Sequence, residues 1–296
     1  MNIVIPTYER HLDYNRNFLT SFRKYCLDKR DVKINFICCN SNRNLFLDLK
    51  SDFSDLNVFI FTLSDLIKTV DGIDFDDALN NFPTKYSLQS LKKLFSYSIV
   101  DSDYLVLDSE NLCLKEFYFK DIEGVLQKRR INYSVDYYKP IQYEVVSNCN
   151  RLLQYENNNW CFLDCHWYFQ KNYVSELLGE LREINKNEMA TFILKDYVFF
   201  EYQLYCGFLI KHSLKEKIEV KEILHGDTDL QYNLIQSGHN YEYICSTITD
   251  HTLGAYISLL NRLDDRITRL HWMPDSFAED IVKHTKVCIG TFHWDS

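Results

Sequence analysis

The sequence predicts an α/β protein: a mostly parallel sheet flanked by helices, with an α-rich part appended at the C-terminus. Three observations carry this. Short, uninterrupted apolar runs alternate with stretches of helical periodicity over the first two thirds of the chain. Runs apolar at every position belong to strands covered on both faces, which is the habit of parallel sheets. Apolar residues make up 46% of the 296 positions, with only 8 Gly and 4 Pro, which supplies a large core and excludes a linker-rich or disordered chain.

The elements follow in order. Asn2 to Pro6 reads as a strand stopped by proline, and Phe18 to Tyr25 as a helix with Phe18, Leu19, Phe22 and Tyr25 on one stripe. Lys33 to Cys39, Asn57 to Leu63 and Tyr104 to Leu107 read as further strands, and Tyr86 to Val100 as the helix between the last two. Beyond residue 125 the pattern is less regular. Glu144 to Val146 and Trp160 to Leu163 read as strands, Asn172 to Asn185 and Thr191 to Ile210 as helices. Ile218 to Leu224 reads as a short strand, Leu253 to Arg269 as a polar-faced helix and Val287 to Phe292 as a last strand. No linker composition separates residues 1–125 from 126–296, so the expectation is one continuous domain with two functional halves.

Charge and composition narrow the function. Thirty-three basic against 42 acidic residues leave a net charge of −9, which excludes a protein that coats nucleic acid. The longest suspicious apolar stretch, Val198 to Ile210, carries Glu201 and Gln203 and falls short of the roughly 20 residues a spanning helix needs. The N-terminus shows no signal-peptide pattern, so the expected location is cytoplasmic, with contact at a membrane surface left open. The ten cysteines are expected to be reduced core thiols. Cys161 and Cys165 beside His166 have no second pair at zinc-site spacing.

The segment Asp101-Ser-Asp-Tyr-Leu-Val-Leu-Asp-Ser-Glu110 is the most informative one. Acidic pairs bracket a single apolar strand, Asp101 and Asp103 before it, Asp108 and Glu110 after it. Ligands of open parallel sheets bind outside the carboxyl ends of strands. That places Asp108 and Glu110 at the ligand side and leaves Asp101 and Asp103 in a solvated turn. Two carboxylates at i and i+2 can share a hard divalent cation that also takes diphosphate oxygens.

A first strand ending in Pro6-Thr-Tyr8, a second ending in Cys38-Cys-Asn40, and an apolar strand followed by Asp108-Ser-Glu110 resemble the nucleotide-sugar domain of GT-A-type glycosyltransferases. The likeness is closer to a group of bacterial GT-A-like proteins associated with surface polysaccharides. The segments Tyr86-Ser-Leu-Gln-Ser-Leu-Lys-Lys-Leu94, Tyr104-Leu-Val-Leu-Asp-Ser-Glu-Asn111 and Glu201-Tyr-Gln-Leu-Tyr205 carry it, in order, over residues 1–210. The resemblance implies a GT-A-like, Rossmann-like fold and a nucleotide held by the end of the first strand. It implies Mn2+ or Mg2+ at the acidic motif, whose third position here departs from Asp to Glu. A late histidine serves as a further metal ligand in some such enzymes, for which His225, His251 and His293 are candidates.

The residues themselves suggest roles. Under that resemblance, Pro6, Thr7, Tyr8 and Asn40 stand at the strand ends that hold a donor nucleotide, with Asp108 and Ser109 opposite. Gln89 and Lys93, at i and i+4, share a helix face and suit sugar hydroxyls and a phosphate. Glu201, among Phe199, Phe200, Tyr202 and Tyr205, is placed as general base on an acceptor hydroxyl, with Asp164 as the alternative. His166 and Trp167 offer an imidazole and a stacking face for the acceptor. Arg262, Arg266 and Arg269 form a basic stripe that suits a lipid-linked acceptor or anionic membrane, but Asp264 and Asp265 interleave, and a self-paired solvated helix is the favoured reading. The expectation is a metal-dependent, inverting glycosyltransferase that moves a sugar from a nucleotide-diphosphate donor to a glycan or lipid-linked glycan in capsule or lipopolysaccharide synthesis. Two alternatives stand beside it. A nucleotidyltransferase would usually carry a Gly-rich loop after the first strand, where Pro6-Thr-Tyr-Glu-Arg10 has none. A binding module would keep the fold without turnover.

Overall fold

The structure, a computed structural model, describes residues 1–67, 85–135, 140–162, 166–184, 198–219, 250–270 and 275–292. Strands β1 (Asn2–Pro6), β2 (Lys33–Cys38), β3 (Asn57–Thr62), β4 (Tyr104–Leu107) and β7 (His166–Phe169) form the main sheet in the order β3-β2-β1-β4-β7. β1, β2, β3 and β4 pair in parallel, while β7 runs antiparallel to β4, with Leu107 opposite His166. Crossovers return the chain to the same end of the sheet each time, so the loops after β1, β2 and β4 gather at one edge.

Both faces of the sheet are covered, as the apolar runs require. On one side Ile3, Ile5, Phe36, Leu105 and Leu107 pack with helices α1 (Leu12–Tyr25), α2 (Arg43–Asp52) and α5 (Phe119–Lys128). On the other side Val4, Ile37, Tyr104, Val106 and Phe169 pack with α4 (Lys85–Phe95), α6 (Pro140–Leu153), α7 (Lys171–Ile184) and α8 (Glu201–Lys211). Alternate residues of one strand thus enter different cores, the direct consequence of the period of two. A short helix α3 (Leu63–Ile67) leads out of β3.

Beyond the main sheet, β6 (Ile131–Tyr133) pairs in parallel with β8 (Lys217–Glu219). The C-terminal part consists of α9 (Asp250–Leu263), β9 (Ile267–Arg269), α10 (Asp275–His284) and β10 (Ile289–Thr291). β10 lies between β9 and β5 (Asn111–Cys113), the strand that directly follows the acidic turn. The appended part is therefore stitched to the turn by a sheet.

Several expectations change. Glu144 to Val146 lie inside α6, because Val145, Val146, Cys149, Leu152 and Leu153 form a buried helical stripe longer than the apolar triplet suggested. Trp160 makes an isolated bridge to Ser134, and the strand forms instead at His166–Phe169. Val198 to Phe200 are not helical, Phe200 is extended, and α8 begins only at Glu201. The helix expected from Leu253 to Arg269 stops at Leu263. Asp264 takes a positive φ of 54°, and Ile267 to Arg269 turn into β9. The basic stripe is thereby dissolved: Arg262 is on α9, Arg266 in a turn beside Asp264, and Arg269 on a strand. Asp101 is exposed and holds Lys33 and Asn2, a pairing that draws its carboxyl down to about 2. Asp103 is a structural anchor: it accepts hydrogen bonds from Tyr168 Oη (2.9 Å) and from the backbone N–H of Lys171 (2.9 Å), tying β7 and the start of α7 to β4. Among the described residues no helix is long and apolar enough to cross a membrane, and the cysteines are free thiols.

Candidate functional site

A cleft of about 350 Å3 opens at the carboxyl ends of β1 and β4. Pro6 lines it from the end of β1 and His11 from the loop after it, Asp108, Ser109 and Glu110 from the turn after β4, and Gln89, Ser90 and Lys93 from α4. Phe162, Trp167, Phe200 and Glu201 close the remaining wall. The strand-end rule thus places the turn of Asp108 and Glu110 as expected.

Lys93 is the centre of this cleft. Its ammonium is 3.5 Å from Asp108 Oδ1, 3.4 Å from Glu201 Oε1 and 3.4 Å from the centroid of the Trp167 ring. Its side chain is 6% exposed, as against 2% for Glu201 and 31% for Asp108. Charge-assisted hydrogen bonds run nearer 2.7–2.9 Å, so the ammonium is shared between two carboxylates rather than committed to one. Glu201 Oε1 accepts no hydrogen bond although it is within ion-pair reach of Lys93. The contact is electrostatic without hydrogen-bond alignment.

The neighbours explain why Glu201 stands there. It is the first residue of α8, where a negative charge meets the positive end of the helix dipole. Ser90 Oγ donates to the Phe199 carbonyl (3.1 Å) and Asn148 Nδ2 to the Val198 carbonyl (2.9 Å), so α4 and α6 fix the entry to α8. Gln203 accepts from the backbone N–H of Cys161 (2.7 Å) and donates to the Asn159 carbonyl (2.8 Å), holding the loop that presents Phe162.

The acidic turn has its own network. Ser109 is 3% exposed. Its hydroxyl donates to Glu110 Oε2 (3.0 Å) and meets His11 Nδ1, which is also 3.5 Å from Glu110 Oε1. Asp108 therefore faces Lys93 and Glu110 faces His11. Among the described residues no group of three His, Cys, Asp or Glu side chains is placed to hold a metal ion. Asp108 and Glu110 are both oxygen donors, the ligand type that Mg2+ and Mn2+ take.

The other expected residues divide. Gln89 is exposed at the cleft and Tyr8 is 37% exposed at its mouth, with its ring 4.0 Å from that of His11. Thr7 is buried and turned inward: its hydroxyl accepts from Asn15 Nδ2 (2.6 Å), its N–H donates to the Ile37 carbonyl and its carbonyl accepts from Lys92 Nζ (3.0 Å). Lys92, beside Lys93, is also buried, which draws its ammonium below the ordinary lysine range. Asn40 is exposed and exchanges hydrogen bonds with Ser64, away from the cleft-lining set. His166 and Trp167 do not share a site, because successive strand residues face opposite sides. Trp167 is buried in the cleft wall, with Phe162 stacked on it at 4.9 Å and Lys93 over its ring, so it offers no open stacking face. His166 Nε2 meets Arg129 (2.8 Å), which reaches Asp265 (3.2 Å) across the other side of the sheet. Asp164, Cys165, His225 and His293 lie outside the described residues, and His251 falls in the first turn of α9.

His11, Ser90, Phe162 and Phe200 were not singled out in the sequence. For His11 a signal existed: it follows β1 by a few residues, on the side of the sheet where ligands bind.

Fold and cleft define an α/β protein with a polar, partly acidic cleft at the carboxyl edge of a parallel sheet. Residues 1–238 match the family of unknown function DUF6492, and the chain belongs to that family. No curated protein matches the sequence. Among solved structures, the chain is similar to mouse xyloside xylosyltransferase 1 in its apo form, at 9% identity and a TM-score of 0.43, covering 75% of this chain and 86% of that one. It is also similar to the galactosyltransferase LgtC in complex with donor and acceptor sugar analogs (12% identity, TM-score 0.40, 75% and 74% covered). A third likeness is to the glycosyltransferase GlyE of Streptococcus pneumoniae TIGR4 (9% identity, TM-score 0.40, 82% and 50% covered).

Proposed function

We propose that the protein is an inverting glycosyltransferase that moves a sugar from a nucleoside-diphosphate donor to the hydroxyl of a glycan or lipid-linked glycan. One observation carries the reading most directly. Glu201 Oε1, a buried acceptor, and Trp167 Nε1, a buried donor, are both without hydrogen-bond partners, and both residues line the same cleft beside Lys93. An acceptor hydroxyl brought beside Lys93 could donate to the unpartnered Glu201 oxygen. In this reading residues 1–125 hold the donor and residues 126–296 the acceptor. Tyr8 lies against the base or ribose, Gln89 bonds sugar hydroxyls, and Lys93 meets the charge that develops on the departing diphosphate. Glu201 takes the proton of the acceptor hydroxyl, on the face opposite the leaving group, which inverts the anomeric carbon. Phe162, Phe200 and the edge of Trp167 form the apolar wall for the acceptor ring. Asp108 and Glu110 would hold Mg2+ or Mn2+, which supplies a Lewis acid when bound. The setting that fits this chemistry is surface-polysaccharide assembly on the cytoplasmic side of a bacterial membrane.

The test is calorimetric titration of ADP, GDP, UDP and CDP with and without MnCl2. At least one is expected to bind more tightly with Mn2+. Asp108→Asn should abolish that gain, while Asp101→Asn, at the far end of the same strand, should keep it. Equal effects of the two substitutions would place the site at the wrong end of the sheet, and no binding by any of the four would overturn the donor assignment.

A further inference from the structure

The C-terminal strand is built into the acidic turn. Asn111, the residue after Glu110, is fully buried and uses both ends of its amide: Nδ2 donates to the Asp108 carbonyl (2.6 Å) and Oδ1 accepts from Thr291 Oγ1 (2.9 Å). Thr291, on β10, is itself 1% exposed. Its backbone pairs with that of Asn111, and the next N–H, of Phe292, donates to the Glu110 carbonyl (3.0 Å). Residues outside the family-matched 1–238 thus hold the Glu110 backbone directly, through Phe292, and the Asp108 backbone indirectly, through Thr291 and Asn111. β10 is seated closely: a side chain at Gly290 would come within 2.5 Å of Leu270 and 3.0 Å of Leu114. Lys115 adds a second tie, donating to the carbonyls of Val282 and Thr285 at the end of α10 (2.8 Å each).

The geometry points to Thr291 as a positioning residue for the ligand site, acting through Asn111 to set the place of Asp108 and, with the Phe292 N–H, of Glu110. The Thr291–Asn111 bond is buried, so no water stands ready to replace the missing hydroxyl, while the Asn111–Asp108 bond is part-buried. Two carboxylates that must converge on one ligand tolerate little drift, and partners behind ligating side chains commonly matter about 10–100-fold for affinity. A three-residue strand with a glycine at its centre holds the turn little through side-chain bulk, and the hydroxyl–amide–carbonyl chain is the side-chain link that adds to the backbone ladder between β10 and β5. The consequence is that the C-terminal part is a component of the cleft. Residues 1–238 alone would carry every side chain proposed to touch the donor and still lack the means to place two of them.

This inference rests on the assignment of Asp108 and Glu110 to a ligand site, and its test separates the two. Thr291→Val keeps the shape and removes the donor; Thr291→Ser restores it. Ile267→Val is a conservative trim on β9, one strand away in the same small sheet, that leaves the chain of bonds untouched. Hydrogen exchange over residues 108–113 is measured for all three at a temperature where each is fully folded, followed by titration with the four nucleoside diphosphates and MnCl2. Thr291→Val is expected to speed exchange in that segment and to weaken the nucleotide that binds wild type by roughly tenfold or more. Thr291→Ser should lie near wild type, and Ile267→Val should change neither readout. If Thr291→Val behaves like Ile267→Val, or if Thr291→Ser fails to restore exchange, Thr291 has no positioning role. If wild type binds none of the four nucleotides, the donor assignment falls while the exchange result still decides the role of Thr291.

Discussion

Lys93 gives the sharpest test of the electrostatics of the cleft. Lys93→Met keeps the aliphatic stem and removes the charge. Glu201, 2% exposed, then loses the ammonium 3.4 Å away and remains a buried carboxylate. Removing one member of a buried pair typically costs about 3–5 kcal/mol. Two features place this case at the low end. The contact lacks hydrogen-bond alignment, and the N-terminus of α8 still favours a negative charge, by up to about 2 kcal/mol in partly buried settings. The ammonium's attraction to the Trp167 ring is also lost, about 0.5–2 kcal/mol, but a methionine sulfur against the same ring recovers about 0.3–1.5 kcal/mol. The net expectation is a loss of about 3 kcal/mol. At roughly 2–4 °C per kcal/mol for chains somewhat shorter than this one, the midpoint should fall by about 6–12 °C or a little less. Lys93→Met combined with Glu201→Gln has no uncompensated charge left in the pair. It should recover about half of the loss, a coupling well outside the few tenths expected of independent sites. Denaturant and thermal unfolding of the four proteins of the cycle measure this. A Lys93→Met protein as stable as wild type, or a double variant no more stable than Lys93→Met alone, would show that Lys93 and Glu201 do not form the pair described.

Two further predictions stand apart from that cycle. Asp28 caps α5 from a distance, accepting from the backbone N–H groups of Phe119 (2.6 Å) and Lys120 (3.1 Å); burial pushes its carboxyl up, but those amides and the Cys26 thiol outweigh it, so the carboxyl lies below the ordinary range. Because the folded-state value is the lower one, its stabilisation is complete above about pH 4 and disappears as pH falls through the folded value. Asp28→Asn should therefore cost about 1 kcal/mol at neutral pH and flatten the acid limb of the stability–pH profile, and an unchanged limb would refute the cap. Glu201→Gln should lower turnover by about a hundredfold or more if Glu201 is the base, while leaving nucleotide affinity within about twofold. A near-wild-type rate, or a product that retains the donor's anomeric configuration, would remove that role.

Much of the sheet was legible because β1, β2 and β4 are covered on both faces and must be apolar throughout, a signal local to each strand. The misplaced elements had no such signal. Glu144 to Val146 is an apolar fragment compatible with strand or helix, and only the spacing out to Leu153 separates the two. β7 exists because β4 offers a free edge, with Tyr104 opposite Phe169 and Leu107 opposite His166, and nothing near residue 166 announces that edge. The site follows the same division. Asp108 and Glu110 were legible from one rule about strand ends, and Lys93 and Glu201 from their local settings. Their meeting was not legible, since it joins residues more than a hundred positions apart, and neither was the approach of His11 to Glu110 or of Thr291 to Asn111. The two acidic pairs around β4 show what the strand-end rule does and does not tell. It separates Asp108 and Glu110, whose carboxylates face the cleft residues Lys93 and His11, from Asp103, whose carboxylate is spent on Tyr168 and the start of α7. It does not tell that Asp103 is needed at all. Asp103 ties Tyr168 and the start of α7 to the foot of β4, in the strand pair whose alternation puts Trp167 on the cleft side and His166 on the other. One member of the pair that looked like an idle turn thus helps anchor the strand that carries an aromatic wall of the cleft.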